Sequence, residues 1–457
     1  MTLPDGPKAS HFVQLIQWIS DPLRYMDESS KQYGDMVTVN WGNAGPIVMV
    51  NHPQAMQELF TNDQFEAPGK INGILKPLVG EQSMILLDGD RHKRQRQLLM
   101  PSFHGERMKT YGDQICAISH DVTNQLSIAQ PFIARSLMQK ITLLVIMHAV
   151  FGLDKGDRFE ALQPMLSSLV GMVDSPLRSS LLFFPSLQID LGPWSPWGRF
   201  QQKRRKIDQL IFAEIADRRA QPDEKRTDIL TLMMEARDEK GESMTDIELH
   251  DELLTLLFAG HETTATALAW AFYWIHKYPS VREKLLQELD NLGENPDPMT
   301  IFRLPYLSAV CQETLRIYPV GMLTFPRVTK SAINLMGHEL APGTTVIGSI
   351  YLTHRREELY PNPLEFRPER FLERQFSPYE YVPFGGGSRR CLGLALAQFE
   401  MKLVLAMLLQ NYQFELGESQ VKPKRRGVTL GPSGGVKMIM KGRRTPQQIP
   451  EKVASLV

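Results

Sequence analysis

The sequence predicts a mainly α fold with small β-sheets, an α+β chain in which helices dominate. Three observations predict it. A helix-rich part runs from about 88 to 320 and returns at about 392–411, with apolar residues at the three-to-four spacing of buried helix faces. Short stretches rich in β-branched residues and punctuated by Gly and Pro occupy about 35–60 and 324–352, with more strands near the C-terminus. No internal repeat, low-complexity run or linker interrupts the 457 residues, so one domain is expected over 1–457.

The elements follow in order. "MTLPDGPKASHFVQLIQWISDPL" holds a short apolar stretch broken by Gln14 and Gln17, and reads as an ordinary first helix rather than an interfacial one. It lacks the basic flank and apolar length of a signal peptide, and no segment approaches the ~20 apolar residues of a membrane span. "DMVTVNWGNAGPIVMVNHP" reads as two strands around a Gly/Pro turn. Helices follow at "MQKITLLVIMHAVFG", "KIDQLIFAEIADRRA", "IELHDELLTLLFAGHETTATALAWAFYWIHKYP" and "PSVREKLLQELDNLG". The third is roughly nine turns long and apolar nearly all round, so it must run through the middle of the molecule. Strands at "TFPRVTKSAINLMGHELAPGTTVIGSIYL" give way to an irregular Pro-rich stretch, one more apolar helix and a strand-like tail.

Composition excludes some functions. Lys+Arg and Asp+Glu both total 51, so no overall charge argues for nucleic acid. Cys116, Cys311 and Cys391 are too few and too scattered for a disulfide framework. A reducing, cytoplasmic location is expected. Cys116 and Cys311 read as small buried hydrophobes. The basic runs "KRRK" (203–206) and "KRR" (424–426) read as solvated faces.

Cys391 stands apart, in "VPFGGGSRRCLGLALAQFE". A phosphate loop needs Lys-Ser/Thr after its glycines, and a dinucleotide loop needs a third glycine where Arg390 stands. Both readings fail. A nucleophile needs a base, and no histidine lies nearby in sequence, though a distant one stays open. A metal ligand suits the setting better, because the start of the following helix would turn its N–H groups and positive dipole end toward the sulfur. Glycines there let the backbone pass close to a flat surface.

Three other constellations carry chemistry. In "AGHETT", Ala259 and Thr263 share a helix face, and the Thr263 hydroxyl can bond back to the carbonyl of residue 259. Glu262 lies in apolar surroundings that demand an explanation. "ETLR" places Glu313 and Arg316 one turn apart, and "RHKRQR" does the same for His92 and Arg96. Standing alone, these are an ordinary helix segment, a surface ion pair and a solvated basic face.

Together they resemble one family. Phe384, Gly387, Arg389, Cys391 and Gly393 reproduce F-x-x-G-x-R-x-C-x-G, the haem-binding loop of the cytochrome P450 superfamily, and the other motifs follow in the right chain order. The resemblance implies the cytochrome P450 fold, with haem b between the long central helix and the Cys391 loop. It implies a haem-thiolate monooxygenase using O2, with Cys391 the axial iron ligand and Phe384, Gly385, Arg389, Gly393 and Ala397 around the haem. Ala259 and Gly260 would form the oxygen groove beside the catalytic pair, with Thr263 binding oxygen and Glu262 feeding protons from solvent. His92, Arg96, Arg327 and Arg389 would bind the propionates, with His354 a weaker candidate. Glu313, Arg316 and Arg370 would form a structural triad. The expected substrate is lipophilic, a fatty-acid-like or terpenoid molecule, met at a mouth that includes Phe183, Phe184, Trp194 and Trp197. With no fused redox domain expected, electrons would come from a ferredoxin or flavodoxin and its reductase, drawn to Arg91, Lys93, Arg94 and Arg390. A monomer is expected. A peroxygenase, an isomerase and a non-enzymatic haem sensor are the alternatives on the same scaffold.

Overall fold

A computed structural model describes residues 3–42, 45–103, 107–171, 188–221, 226–293 and 296–445. Its axis is a helix of 32 residues, Asp246–Lys277, about 48 Å long at 1.5 Å per residue. A capping box starts it: Thr245 accepts from the Glu248 N–H while Glu248 reaches back to Thr245. Leu249, Leu253, Leu257, Leu268, Phe272 and Ile275 are all buried, so the helix is enclosed for most of its length. The helix Ala134–Ala149 packs along it, and Leu394–Asn411 packs on it from another side.

The strands are β1 (Met36–Asn40), β2 (Pro46–Val50), β3 (Phe65–Glu66), β4 (Pro131–Ile133), β5 (Arg327–Thr329), β6 (Ile333–Leu335), β7 (His338–Leu340), β8 (Thr345–Gly348), β9 (Tyr412–Leu416), β10 (Pro423–Arg426), β11 (Thr429–Pro432) and β12 (Lys437–Arg443). The largest sheet runs β1-β2-β8-β5-β3. β1 and β2 form the antiparallel hairpin, Met36 facing Val50, and β2 continues in parallel onto β8, Ile47 beside Thr345. Smaller sheets are β4-β12-β9, β10-β11 and β6-β7.

Four expectations need correction. The stretch 51–60 is a helix, Pro53–Thr61, because His52 caps it and proline occupies its first position. Arg204 is buried, donating to the carbonyls of Pro77 and Leu78 and pairing with Asp208, so "KRRK" is no simple solvated face. Arg425 of "KRR" packs on the Trp18 ring and donates to its carbonyl. The first helix, His11–Ser20, buries Gln14 and Trp18 and leaves Phe12, Val13, Ile16 and Ile19 exposed. Among the described residues, no helix is long and apolar enough to cross a membrane.

Candidate active site

The loop before the helix Leu394–Asn411 presents Cys391. The Cys391 N–H donates to the Phe384 carbonyl (3.0 Å), closing a tight hairpin. Gly385 and Gly387 both take φ +63°, a left-handed backbone that favours glycine. Gly386 is required for a different reason: a Cβ there would stand 2.2 Å from the Phe60 ring. At Gly393 an added Cβ would meet no protein atom within 4 Å, so no protein neighbour among the described residues requires a glycine there.

Cys391 is accessible to solvent, although protein crowds its other sides. That burial pushes its thiol up, opposed by the Gly393 N–H at the helix start and by the charges of Arg96 and Arg390. Cys116 and Cys311 differ. Burial pushes both up to about 12, so they stay thiols and inert.

Beyond its exposed first turn, the central helix is accessible mainly along one short strip. Ala259 is exposed and Gly260 and Thr263 half-buried, whereas Leu257, His261, Glu262 and Thr264 are buried. The Thr263 hydroxyl donates to the Ala259 carbonyl, leaving its oxygen lone pairs as acceptors. Glu262 points to a neighbouring, buried face of the helix. Its carboxylate pairs with Arg135 and accepts from Gln139 (2.9 Å) and Thr266 (3.3 Å). A solvent-fed Glu262 is therefore not what the structure shows, because a buried arginine and amide from the neighbouring helix hold it.

His92, Arg96, Arg327 and Arg389 converge. Burial first, then the charges of Arg389, Arg96 and Arg327, push His92 down to about 4, so it is neutral at pH 7. Arg327 is pushed to about 10 by burial and by Arg389. The facing carboxylate is Asp88, 3.6 Å from Arg389. Each arginine also braces backbone: Arg96 holds the Arg390 carbonyl (2.7 Å) and Arg327 that of Gly386 (3.0 Å). Arg389 makes four bonds, to the carbonyls of Ala67 (from Nε and Nη2), Met84 and Leu87. Most of its five donors are engaged there, so it ties the loop to 67–87 before it reaches any carboxylate.

Behind the loop, Glu313 and Arg316 are fully buried and paired in fork geometry (2.7 and 2.8 Å), and Arg370 joins at 3.1 Å. His354, weighed as a propionate partner, belongs here instead. Its Nε2 accepts the Val382 N–H (2.9 Å) and its carbonyl accepts from Arg316 (2.9 Å), which carries the network to the start of the Cys391 loop. Burial pushes its imidazole down to about 3.

Other sequence expectations divide. Phe384, Gly385 and Ala397 are half-buried around Cys391, Ala397 in the first turn of its helix. Arg94 pairs with Asp238 (2.5 Å) and Glu248 (3.0 Å) and is not available to an electron donor, whereas Arg91, Lys93 and Arg390 are exposed. Trp197 is buried against Phe200, so it is core and not mouth, whereas Trp194 is exposed. Phe183 and Phe184 lie outside the described residues. Sequence reasoning missed Arg135 and Gln139. Their signal was present: two polar residues one turn apart on a helix whose remaining residues are mostly apolar.

A cysteine at a helix start, a strip of small residues with one hydroxyl, and three guanidiniums with little countercharge form a coherent donor set. It fits a flat, iron-bearing group with two carboxylates. The family model for cytochrome P450 matches residues 4–438. The chain belongs to the cytochrome P450 family. Cytochrome P450 135B1 of Mycobacterium tuberculosis is 35% identical over 447 residues, covering 97% of this chain and 92% of the relative. Cytochrome P450 138 of the same species is 33% identical, covering 96% and 97%. A solved structure described as retinoic acid bound cyanobacterial CYP120A1 superposes with a TM-score of 0.83 at 25% identity, covering 96% of this chain and 99% of that one. The chain is therefore a P450 monooxygenase with haem b as cofactor, O2 as co-substrate, a small-molecule substrate and redox partners.

Proposed function

We propose that this P450 hydroxylates a lipophilic small molecule, fatty-acid-like or terpenoid, with electrons from a ferredoxin or flavodoxin and its reductase. The observation that supports the substrate class is the apolar character, among the described residues, of the segments packed along the central helix on either side of the Ala259–Thr263 strip. Glu262 is turned away and paired, and the flanking segments are apolar. Toward the helix start these are Ile74, Leu75, Met84 and Leu86; toward its end, Val320, Met322, Leu323 and Leu430. An apolar ligand in apolar walls needs no compensating hydrogen bond. CYP120A1 in its retinoic acid complex carries a molecule of this kind, an apolar chain ending in a carboxylate.

In this reading Cys391 would ligate the iron, held by the Gly393 N–H and the bonds that close its loop. When bound, haem b would supply the oxygen-insertion chemistry. Arg96, Arg327 and Arg389 would neutralise its carboxylates, and the neutral His92 would donate a ring N–H to one of them. The Thr263 hydroxyl orients a proton donor over the strip, Ala259 and Gly260 leave room for it, and Glu262 acts only by leaving Arg135. The enzyme works as a monomer in the cytoplasm. The test is a ligand screen on the holoprotein: fatty acids and terpenes shift the iron to high spin, and the binders are hydroxylated with a surrogate ferredoxin system. If polar ligands alone shift the spin state, the substrate class is wrong. Product formed only with peroxide would instead select the peroxygenase alternative.

A further inference from the structure

The first helix is apolar on the wrong side for a helix whose only partner is its own core. It turns Gln14 inward (1% exposed), where the amide reaches the Pro7 and Ala9 carbonyls, the Tyr25 hydroxyl and the Asn40 N–H. Outward it turns Phe12 (62%), Val13 (43%), Ile16 (49%) and Ile19 (51%), spaced along one face. Burial of apolar surface drives folding, so an outward face of this kind calls for a cover.

Basic groups lie on the segments next to it. The β10-β11 hairpin lies alongside, because Arg425 donates to the Trp18 carbonyl and stacks on its ring. Val428 at the hairpin tip is exposed, as are Lys422 and Lys424 on the approach to it and Lys8 before the helix. Of the nearby acids, Asp21 caps the next helix and Glu28 is paired with Arg24, while Asp5 stays exposed. The hairpin also reaches the central helix: Trp270 donates to the Leu430 carbonyl, about two turns past Thr263.

We propose that the outer face of the first helix, with the tip of the β10-β11 hairpin, docks on an anionic lipid bilayer. The helix lies in the interface, its four apolar side chains among the acyl boundaries and the lysines at the headgroups. A second protein copy is a poorer occupant. A ridge of four side chains falls far short of the ~800 Å² per partner that stable protein interfaces bury, whereas a bilayer needs no matching shape. The proposal does not depend on which substrate is used.

Co-sedimentation of the full-length holoprotein with vesicles tests it. Phosphatidylglycerol mixed into phosphatidylcholine should bind the protein, more weakly in high salt, and phosphatidylcholine alone should bind it less. The triple variant Phe12→Ser, Ile16→Ser, Ile19→Ser should lose at least about tenfold in partitioning, about 1.4 kcal/mol or more, while keeping the spectrum of its reduced carbon monoxide complex. Lys422→Glu with Lys424→Glu should remove the preference for anionic vesicles. Should the triple variant not fold, Ile16→Ser alone serves. Absence of vesicle binding by the wild type, or binding unchanged in these variants, overturns the proposal. So does a wild-type dimer that ignores vesicles and that the serine variants dissociate.

Discussion

Two groups of arginines hold the Cys391 loop, and their charges are balanced differently. Arg316 and Arg370 share the buried Glu313, whose Oε1 also accepts the Arg367 N–H and whose Oε2 takes Arg316 Nε. Their remaining donors reach the carbonyls of His354, Pro361, Pro363 and Glu365. Arg96, Arg327 and Arg389 also brace carbonyls, but among the described residues the carboxylate that perturbs any of them is Asp88, beside Arg389. Countercharge is the difference. A buried cationic group with its own carboxylate is architecture, and one without is a receptor for an anion.

The comparison can be broken or sharpened by experiment, beginning where the effect is total. Cys391→Ser should abolish the long-wavelength band of the reduced carbon monoxide complex, and retention of that band would mean another iron ligand. Glu313→Ala leaves two guanidiniums buried without their anion. It should cost about 3–5 kcal/mol of stability in urea unfolding, a large part of a typical margin. A loss under 1 kcal/mol would place the triad with the receptor group.

A third test uses pH. Burial pushes His276 down to about 4 and His354 to about 3, from an ordinary 6.5. The unfolded chain therefore takes up protons below 6.5 that the folded chain refuses. The stability that each ring contributes is full above that pH and falls as pH drops toward 4, by about 1.4 kcal/mol per unit for each histidine. Glu252 and Glu400, pushed up to about 8 by burial, act in the opposite direction over the same range, so each ring is read against its own glutamine variant. Urea midpoints of His276→Gln and His354→Gln should fall less steeply below pH 6.5 than those of the wild type, and equal slopes would mean that the rings are hydrated. The smallest effect separates the two groups most cleanly. Arg96→Gln should weaken haem retention about tenfold, about 1.4 kcal/mol, measured by transfer to a haem acceptor. Stability of the haem-free protein should change by less than about 0.5 kcal/mol, because Arg96 there meets like charge.

Much of this was legible in the sequence because the chemistry is local. The Cys391 loop, the Ala259–Thr263 strip and the Glu313–Arg316 pair each lie within one turn or loop, where spacing determines geometry. What was not legible depends on distant partners. Glu262 meets Arg135 across 127 residues, and Arg94 meets Asp238 across 144. No periodicity shows that one guanidinium of "RHKRQR" is neutralised and another is not. Trp197 and the first helix failed differently: residue type was a guide to greasiness but not to direction. Trp197 turned inward against Phe200, and Phe12 and Ile16 turned outward.

The contact between Gly386 and Phe60 has a mechanical reading. Phe60 belongs to the helix that follows β2, and Gly387 would also press on its carbonyl at 2.7 Å if it carried a Cβ. That helix acts as a stop against which the ligand loop rests. The height of the sulfur above its own helix is then gauged from a part of the chain more than 300 residues earlier. A bulkier residue at 386 would transmit its volume to the iron ligand, not to solvent.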